Sequence, residues 1–300
     1  MCGPTGVGKT DISIGLAERL GCPILNADSR QIYKEIPIGT AAPTAQEQAR
    51  VPHYFVGIKS ITEDYNAGAY ERDAMTLLNS LFAERDILVM AGGAMLYIDA
   101  VCNGLDNIPD VPRDTRLQLT ETYRTNGLEW LQGEVHRLDP EYYSAMADPQ
   151  NPQRLLHALE VCIASGMPYS HFRSGEKKTR EFNIIKIGLT RPRDILYSRI
   201  NSRVDTMLQN GLEEEARKVS PLRHLNGLQT VGYKEMFDYF EGKISQDEAR
   251  HLIQQNSRHY AKRQLTWFRR DKDITWIDID HTSTEQAIRD ILETATDKHI

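Results

Sequence analysis

The sequence predicts an α/β fold in which a parallel β-sheet core is interrupted by an inserted all-helical domain. Three observations lead to this prediction: a glycine-rich loop followed by a helix at the N-terminus, further strand–turn–helix units in the first third of the chain, and a later stretch with helical character only. Successive strand–turn–helix units are typical of parallel sheets, because parallel strands need a long crossover connection, which is usually a helix.

The N-terminal loop reads Gly3-Pro4-Thr5-Gly6-Val7-Gly8-Lys9-Thr10 and matches the phosphate-binding pattern G-x-x-x-x-G-K-[ST]. Glycines at these places let backbone N–H groups turn toward a phosphate. The pattern also predicts that Lys9 reaches phosphate oxygens and that the Thr10 hydroxyl binds Mg²⁺. The apolar periodicity of the next residues predicts a helix whose N-terminus faces the anion. We therefore predict a P-loop NTPase-like core that binds a diphosphate or a nucleotide on this loop.

A phosphate loop normally follows a buried strand, yet only Met1 and Cys2 precede Gly3. Two explanations are open: the first strand is missing from this chain, or another strand supports the loop. We expect the first explanation, and with it a less stable sheet, because a central strand of a parallel sheet is buried on both faces.

The composition is that of a globular protein: 300 residues, 40% hydrophobic, 26% charged, with a net charge of −6. No apolar run approaches the ~20 residues of a membrane span, and nothing resembles a signal peptide. We therefore expect a cytoplasmic protein without a membrane partner. The four cysteines are scattered and predict reduced thiols. The nine histidines show no zinc-ligand spacing.

Two more strands are predicted in the first third of the chain. The stretch "CPILNADSRQIY" predicts a strand that ends near Asp28, and "RDILVMAGGAMLYIDAV" predicts a strand, a turn at Gly92-Gly93 and a helix. Ligands of parallel α/β sheets bind at the carboxyl ends of the strands, which is where both features would lie.

The middle of the chain predicts a helical insertion. Its clearest helix, "NPQRLLHALEVCIASG", has an asparagine cap, a proline at the first helical position and a glycine just past the end. Strand character returns in "FNIIKIGLT", and a long amphipathic helix follows. We therefore predict three segments: a first part of the core without its first strand, a helical insertion, and a core continuation that ends in a basic helix, at residues 1–112, 113–182 and 183–300.

Several polar residues are candidates for the chemistry. Arg199 and Arg203 lie four residues apart on one helical face and can hold a diphosphate from the side opposite the loop; the alternative is ion pairs with Glu213–Glu215. Asp28 is a candidate magnesium ligand or general base, or else a turn or N-cap residue. For the segment 229–234, a loop near the site and a surface turn are equally consistent with the sequence.

The stretch "RHYAKRQLTWFRRDK" near the C-terminus has six lysine or arginine residues, one aspartate and interleaved aromatic residues. Such a local basic stripe suits a nucleic-acid backbone even in an acidic chain. A solvated helix face explains the stripe equally well.

Seven blocks occur in the order shown by one family, the tRNA dimethylallyltransferases, also called tRNA isopentenyltransferases: "GPTGVGKT", "ADSRQIY", "IGTAAP", "AGGAMLY", "NPQRLLHALEV", "VGYKEM" and "AKRQLTWFR". The resemblance covers essentially the whole chain. It implies a monomeric, Mg²⁺-dependent enzyme that transfers the dimethylallyl group of dimethylallyl diphosphate to N6 of adenosine 37 in the tRNA anticodon loop, with release of diphosphate.

The resemblance also implies roles for individual residues. The phosphate loop would hold the isoprenoid diphosphate, and Asp28 would be the general base. The residues that would contact tRNA are Asp28, Ser29, Arg30, Gln31, Ala94, Arg116, Gln153, Arg154, Leu155, Leu156 and His157. Ala94 replaces a threonine that is usual in the family, so we expect one hydrogen bond to the RNA to be lost.

Three other functions compete with this one. Adenylate isopentenyltransferases use free AMP or ATP, but a mononucleotide acceptor needs neither a helical insertion nor a basic helix. A small-molecule P-loop kinase is disfavoured because we find no second strand that ends in aspartate and no arginine-rich lid. A non-catalytic RNA-binding relative would not need to retain Lys9, Thr10 and Asp28.

Overall fold

A computed structural model describes residues 1–280 and 282–297 of the chain. The strands in these ranges are β1 (Ile24–Ala27), β2 (His53–Tyr54), β3 (Val89–Gly92), β4 (Ile187–Thr190) and β5 (Thr275–Asp278). The helices are α1 (Lys9–Leu20), α2 (Ala45–Arg50), α3 (Ala67–Phe82), α4 (Met95–Asn103), α5 (Arg113–Leu138), α6 (Pro140–Ala145), α7 (Pro152–Ser165), α8 (Arg193–Gln209), α9 (Leu212–Val219), α10 (Tyr233–Phe240), α11 (Gln246–Phe268) and α12 (Thr284–Asp297). Short 3₁₀ helices span Tyr169–Phe172, Ser220–Leu222 and Asn226–Leu228.

The strands form small parallel sheets, so the predicted mixed α/β class is confirmed. One sheet has the order β2-β1-β3, and β4 pairs with β5; every strand pair is parallel. The strands predicted before Asp28, before the Gly92-Gly93 turn and in "FNIIKIGLT" are all present, as β1, β3 and β4. The capped helix of the insertion is also present as α7, with the predicted asparagine and glycine at its ends.

The first two residues lie between β3 and β4 and pair with both strands. Cys2 forms parallel bridges with Gly92 and Gly188. Its N–H donates to the Ile187 carbonyl at 2.8 Å, and its carbonyl accepts from the Leu189 N–H at 2.9 Å. The phosphate loop therefore leaves the sheet between two strands, and both β3 and β4 support its first residue.

The chain divides into two compact units, Met1–Cys102 with Arg180–Ile300, and Asn103–Thr179. The first unit holds all the described strands. The second unit is helical, and its core is built by apolar residues of α5 and α7 such as Leu131, Val135 and Leu155.

The point where the chain returns to the first unit is held by a buried ion pair. The Arg180 guanidinium donates to Glu71 at 2.8 Å and to the Ala100 and Val101 carbonyls at 2.6 and 2.8 Å. These two carbonyls belong to the last turns of α4, where a cation is favourable because helix C-termini carry unsatisfied carbonyls.

A buried carboxylate anchors the loop formed by residues 36–43. Glu215 on α9 accepts hydrogen bonds from the N–H groups of Ile38 and Gly39, each at 2.8 Å, and from the Tyr233 hydroxyl at 2.5 Å. A Cβ on Gly39 would lie 2.5 Å from that hydroxyl oxygen. The loop is therefore packed directly against the start of α10, and glycine at position 39 follows from this close approach.

The segment 229–234 is a loop as far as Gly232, and its last two residues begin a helix. Its residue Tyr233 is fully buried and begins α10, so the segment is not a surface turn. The loop-like part ends at Gly232, whose N–H donates to the Glu235 carboxylate at 2.8 Å; the same carboxylate accepts from Asn256 at 2.7 Å. The polar hydroxyl of Tyr233 is buried without penalty because it donates to the buried carboxylate of Glu215.

No helix of residues 1–280 and 282–297 combines the length and the apolar character that crossing a membrane would require.

We expect Glu215→Gln to lower the free energy of unfolding by about 2–4 kcal/mol, because an amide N–H₂ in place of one oxygen cannot accept from the loop N–H groups. Urea unfolding followed by circular dichroism measures this loss. Glu214→Gln is the matched control, because the Glu214 side chain is exposed although it is next to Glu215 in the sequence. This substitution should change the free energy of unfolding by less than about 0.5 kcal/mol. Equal effects of the two substitutions would contradict the anchoring role of Glu215.

Candidate functional site

One cavity of about 1010 Å³ lies in the first unit, at the carboxyl end of β1. The phosphate loop, β1, the loop of residues 36–43, α8 and α11 all contribute to its wall. The cavity brings together nine of the residues proposed from the sequence: Thr5, Gly6, Gly8, Lys9, Thr10, Asp28, Gln31, Arg199 and Arg203.

The phosphate loop has the conformation that its glycines permit. Gly6 and Gly8 have φ values of 79° and 109°, which L side chains rarely adopt. Lys9 begins α1 directly after Gly8, so the free N–H groups of the first helical turn lie at this end of the cavity.

The Lys9 ammonium bonds back onto its own loop. It donates to the carbonyls of Gly3 and Pro4, each at 2.9 Å. Burial, together with the neighbouring Arg203 guanidinium, lowers the pKa of Lys9 from 10.5 to about 8. The lysine therefore lies against two carbonyl oxygens and near one arginine, and an anion in the cavity would stabilise its charged form.

Two arginines from other elements donate to the carbonyls of the phosphate loop. Arg199 Nε donates to the Gly6 carbonyl at 3.0 Å, and Arg191 Nε donates to the Val7 carbonyl at 2.8 Å. Arg191 also pairs with Asp280 at 3.0 Å. The sequence analysis missed Arg191, although its place one residue after the end of β4 was a usable signal.

Two of the three glutamates proposed as alternative partners of Arg199 and Arg203 pair with other residues, and the third, Glu214, is exposed. Glu213 pairs with Arg217 at 2.8 Å, and Glu215 anchors the loop of residues 36–43. Arg199 and Arg203 both line the cavity, one turn apart on α8.

Asp28 follows β1 directly, and one of its oxygens is used to hold the turn that comes next. Oδ1 accepts from the N–H groups of Arg30 and Gln31, at 2.8 and 3.3 Å. Asp28 also lines the cavity. The turn role and the cavity position therefore coexist, since the turn fixes one oxygen and leaves Oδ2 to accept a further proton or hydrogen bond.

Gln31 connects this turn to the loop of residues 36–43. Its Nε2 donates to the carbonyls of Thr40 and Ala41, each at 3.0 Å. Ala41 has a φ of 47°, a strained value for a residue with a side chain. The Gln31 amide therefore helps to hold an unusual backbone conformation at the cavity wall.

Helix α11 adds two cavity residues that the sequence analysis did not identify, Tyr260 and Gln264. They lie four residues apart and so share a helical face. Burial raises the pKa of the Tyr260 phenol, and the nearby Asp28 carboxylate raises it further, so the hydroxyl stays protonated. In the sequence, the signal for these two residues was a pair of polar side chains four positions apart, between apolar positions of the same helix.

The other proposed residues lie away from the cavity wall. In the first unit these are Gly3, Pro4, Val7, Ser29, Arg30 and Ala94. Ala94 is buried, with its side chain in the main apolar cluster. In the second unit Gln153, Arg154 and His157 are exposed, Leu156 is half-buried, and Leu155 is fully buried in the core, where its side chain packs instead of facing solvent.

Arg116, also in the second unit, pairs with the buried carboxylate of Glu160 at 3.3 Å. Burial raises the pKa of Glu160. The Arg116 side chain is 41% exposed, so it retains donors on the surface of the unit.

The residues at the phosphate-loop end fit a magnesium ion that is held mainly by its substrate. The Thr10 hydroxyl and the Asp28 carboxylate are hard oxygen ligands of the kind that Mg²⁺ prefers. Among the residues that the structure describes, no group of three or more His, Cys, Asp or Glu side chains is arranged to hold a metal. A magnesium ion here would take its remaining ligands from phosphate oxygens and water, as is usual for this ion.

We expect the affinity for inorganic diphosphate, without metal, to fall as the pH rises through about 8, by up to about tenfold per pH unit. The reason is that Lys9, with its lowered pKa, loses the proton that attracts the anion. The Lys9→Arg variant keeps its positive charge, so its diphosphate affinity should not show the fall that comes from deprotonation of Lys9. The ionisation of diphosphate itself affects wild type and variant equally. Isothermal titration calorimetry measures both profiles, and identical profiles would contradict the assignment.

The IPP transferase family model matches residues 31–271. The chain is 53% identical over 276 residues to tRNA dimethylallyltransferase 2 of Porphyromonas gingivalis, with 92% of each chain covered. It is 48% identical over 300 residues to tRNA dimethylallyltransferase 1 of Bacteroides thetaiotaomicron, covering 100% of this chain and 96% of the relative.

Among solved structures, the tRNA isopentenylpyrophosphate transferase of Bacillus halodurans is similar over 100% of this chain and 98% of its own, with 36% identity and a TM-score of 0.70. The region matched by the family model includes Gln31, the cavity arginines of α8 and the cavity residues Tyr260 and Gln264 of α11. The chain therefore belongs to the IPP transferase family.

Proposed function

We propose that this chain transfers the dimethylallyl group of dimethylallyl diphosphate to N6 of adenosine 37 in the anticodon loop of tRNA and releases diphosphate. The observation that carries the proposal is that one cavity is lined by an anion-binding loop with its cations and by the carboxylate of Asp28. The relatives that match this chain over nearly their full length are named tRNA dimethylallyltransferases, and these names support the same reaction.

The phosphate-loop end of the cavity is the proposed site of the donor diphosphate, in a P-loop NTPase-like arrangement. Lys9, Arg199 and Arg203 supply positive charge, and the amides at the start of α1 supply donors. As the bond from C1 of the dimethylallyl group to the diphosphate oxygen breaks, negative charge grows on the leaving group. Fixed cations and N–H dipoles stabilise that charge more in the transition state than in the ground state.

Asp28 is the proposed general base. Adenine N6 is a weak nucleophile because its lone pair is delocalised into the ring, so the amino group must lose a proton as the C–N bond forms. The Oδ2 atom accepts that proton, while the turn N–H groups of Arg30 and Gln31 hold Oδ1 in place. Tyr260, protonated at neutral pH, lies on the same wall and can donate to the acceptor base or to the leaving group.

Thr10 is the proposed protein ligand of Mg²⁺, with the substrate diphosphate as the other anchor. A bound magnesium ion neutralises part of the charge of the leaving diphosphate. The chain's own contribution is the hydroxyl at the first turn of α1, beside Lys9.

Two exposed surfaces are the proposed tRNA contacts. On α11 and the residues after it, Lys262, Arg263, Arg269 and Arg270 are exposed while Gln264 faces the cavity. On the second unit, the exposed residues near the start of α7 supply polar and basic groups. Bases in RNA loops readily unstack, and an unstacked adenine can enter the cavity. We propose that a single copy of the chain acts on one tRNA.

The test uses the purified chain, Mg²⁺ and labelled dimethylallyl diphosphate with three acceptors: an anticodon stem-loop containing A36-A37-A38, the same stem-loop with guanosine at position 37, and free AMP. We expect label in the first acceptor alone. Label in AMP would assign the chain to the mononucleotide enzymes. Binding of the stem-loop without transfer would favour a non-catalytic RNA-binding protein.

We expect Asp28→Asn to reduce kcat by at least about 10²-fold, because an amide cannot accept the N6 proton. The affinity for the stem-loop should stay within about twofold, since the amide oxygen can still accept from the turn N–H groups. Single-turnover transfer and filter binding measure the two quantities. Asp64→Asn, at an exposed position outside the cavity, is the matched control. Unchanged turnover of Asp28→Asn would exclude Asp28 as the base.

A further inference from the structure

Gln264 is the most buried polar side chain of α11, with 1% of its surface exposed. Both ends of its amide are used. Oε1 accepts from the backbone N–H of Thr5 at 2.8 Å, and Nε2 donates to the Gly93 carbonyl at 2.8 Å. One side chain thus bridges the phosphate loop to the turn that follows β3.

The bridge has a direct consequence for the phosphate loop. Because the Thr5 N–H is occupied by Gln264, it is not available to an anion, and the remaining amides of the loop carry that role. The Gln264 bond also fixes the loop at its second residue after Gly3, before the turn that leads to Lys9. The position of the lysine relative to β3 therefore depends on a contact made by α11.

The bridge also explains why residue 93 is glycine. A Cβ on Gly93 would lie 2.4 Å from Gln264 Nε2, while the next nearest atoms, Gln264 Cδ and the Gly3 carbonyl oxygen, lie at 3.6 Å. The φ of Gly93 is not positive, so the backbone itself would accept alanine. The side chain that excludes alanine at this position is therefore Gln264.

We propose that Gln264 is a positioning residue for the donor diphosphate: it sets the phosphate loop against the β3 turn so that the loop amides and Lys9 face the cavity. This inference rests on the proposed function, in which the loop binds dimethylallyl diphosphate. Gln264 acts through Thr5 and Gly93, and loss of its amide weakens donor binding and slows transfer, while the binding of RNA to other surfaces is unaffected.

The first test compares Gln264→Met with Gln254→Met. Methionine keeps the length of the side chain and removes both hydrogen-bonding groups. Gln254 is the matched control because it lies on the same helix, is 8% exposed and donates to Asp205 at 3.1 Å, but does not line the cavity. Both variants lose buried amide hydrogen bonds, so a general loss of stability lowers the Tm of both.

We expect Gln264→Met to weaken the binding of dimethylallyl diphosphate, measured by calorimetry, by about fivefold to tenfold. The KM for the donor should rise and kcat should fall, while the KM for the stem-loop stays within about twofold. Gln254→Met should leave the donor affinity and both kinetic constants unchanged. An unaltered donor affinity in Gln264→Met, or an equal loss in Gln254→Met, would overturn the proposal.

The second test is a double-substitution cycle with Gly93→Ala. In the wild-type background the new methyl group displaces the end of Gln264, and donor affinity should fall by a similar factor. In the Gln264→Ala background the obstructing amide is gone, so Gly93→Ala should have little further effect. Full additivity of the two substitutions would show that Gly93 acts independently and would overturn the bridge.

The calorimetric readout separates this inference from the proposed function. If the wild-type chain binds dimethylallyl diphosphate but transfers it to no acceptor, the proposed reaction fails while the cycle still tests Gln264. If wild type transfers normally and Gln264→Met binds the donor as tightly as wild type, the positioning role fails while the proposed reaction stands.

Discussion

The structure of this protein depends on holding several cations close together around one phosphate loop. Burial, and after it the neighbouring Arg203 guanidinium, lowers the pKa of Lys9 to about 8. Carbonyls of the loop itself accept hydrogen bonds from two of the cations. The Gly3 and Pro4 carbonyls accept from Lys9, and the Gly6 carbonyl accepts from Arg199. Neutral carbonyls satisfy the donors without cancelling the charge, so the positive potential of the cavity is preserved for an anion.

Each neighbouring element supports this loop from a different direction. The bridges of Cys2 to β3 and β4 fix where the loop begins. Arg191, after β4, holds the Val7 carbonyl, and Gln264 of α11 holds the Thr5 N–H. These contacts use backbone N–H and carbonyl groups of the loop. The loop conformation is thus determined by contacts with several neighbouring elements.

The cavity wall formed by the turn after Asp28 and by residues 36–43 is organised by a second polar network. The Glu215 carboxylate and the Tyr233 hydroxyl hold the loop of residues 36–43, and Gln31 holds the far end of that loop through the Thr40 and Ala41 carbonyls. Because Gln31 also donates its N–H to Asp28, the position of the proposed base is connected to the loop. Buried networks of this kind specify one conformation, since every unsatisfied group would cost free energy.

The sequence by itself determined the features that depend on local spacing. The phosphate loop, the strand before Asp28, the capped helix α7 and the arginine pair of α8 all follow from residues within a few positions of one another, where turn, cap and periodicity rules operate. Only the tertiary structure decided the contacts between distant segments. The Gln264 bond to Thr5 spans 259 residues, and Glu215 reaches residues 176 and 177 positions away. A glutamine within a basic stripe or a glutamate among three has no local signature of such a partner, because burial and pairing arise only when the chain packs.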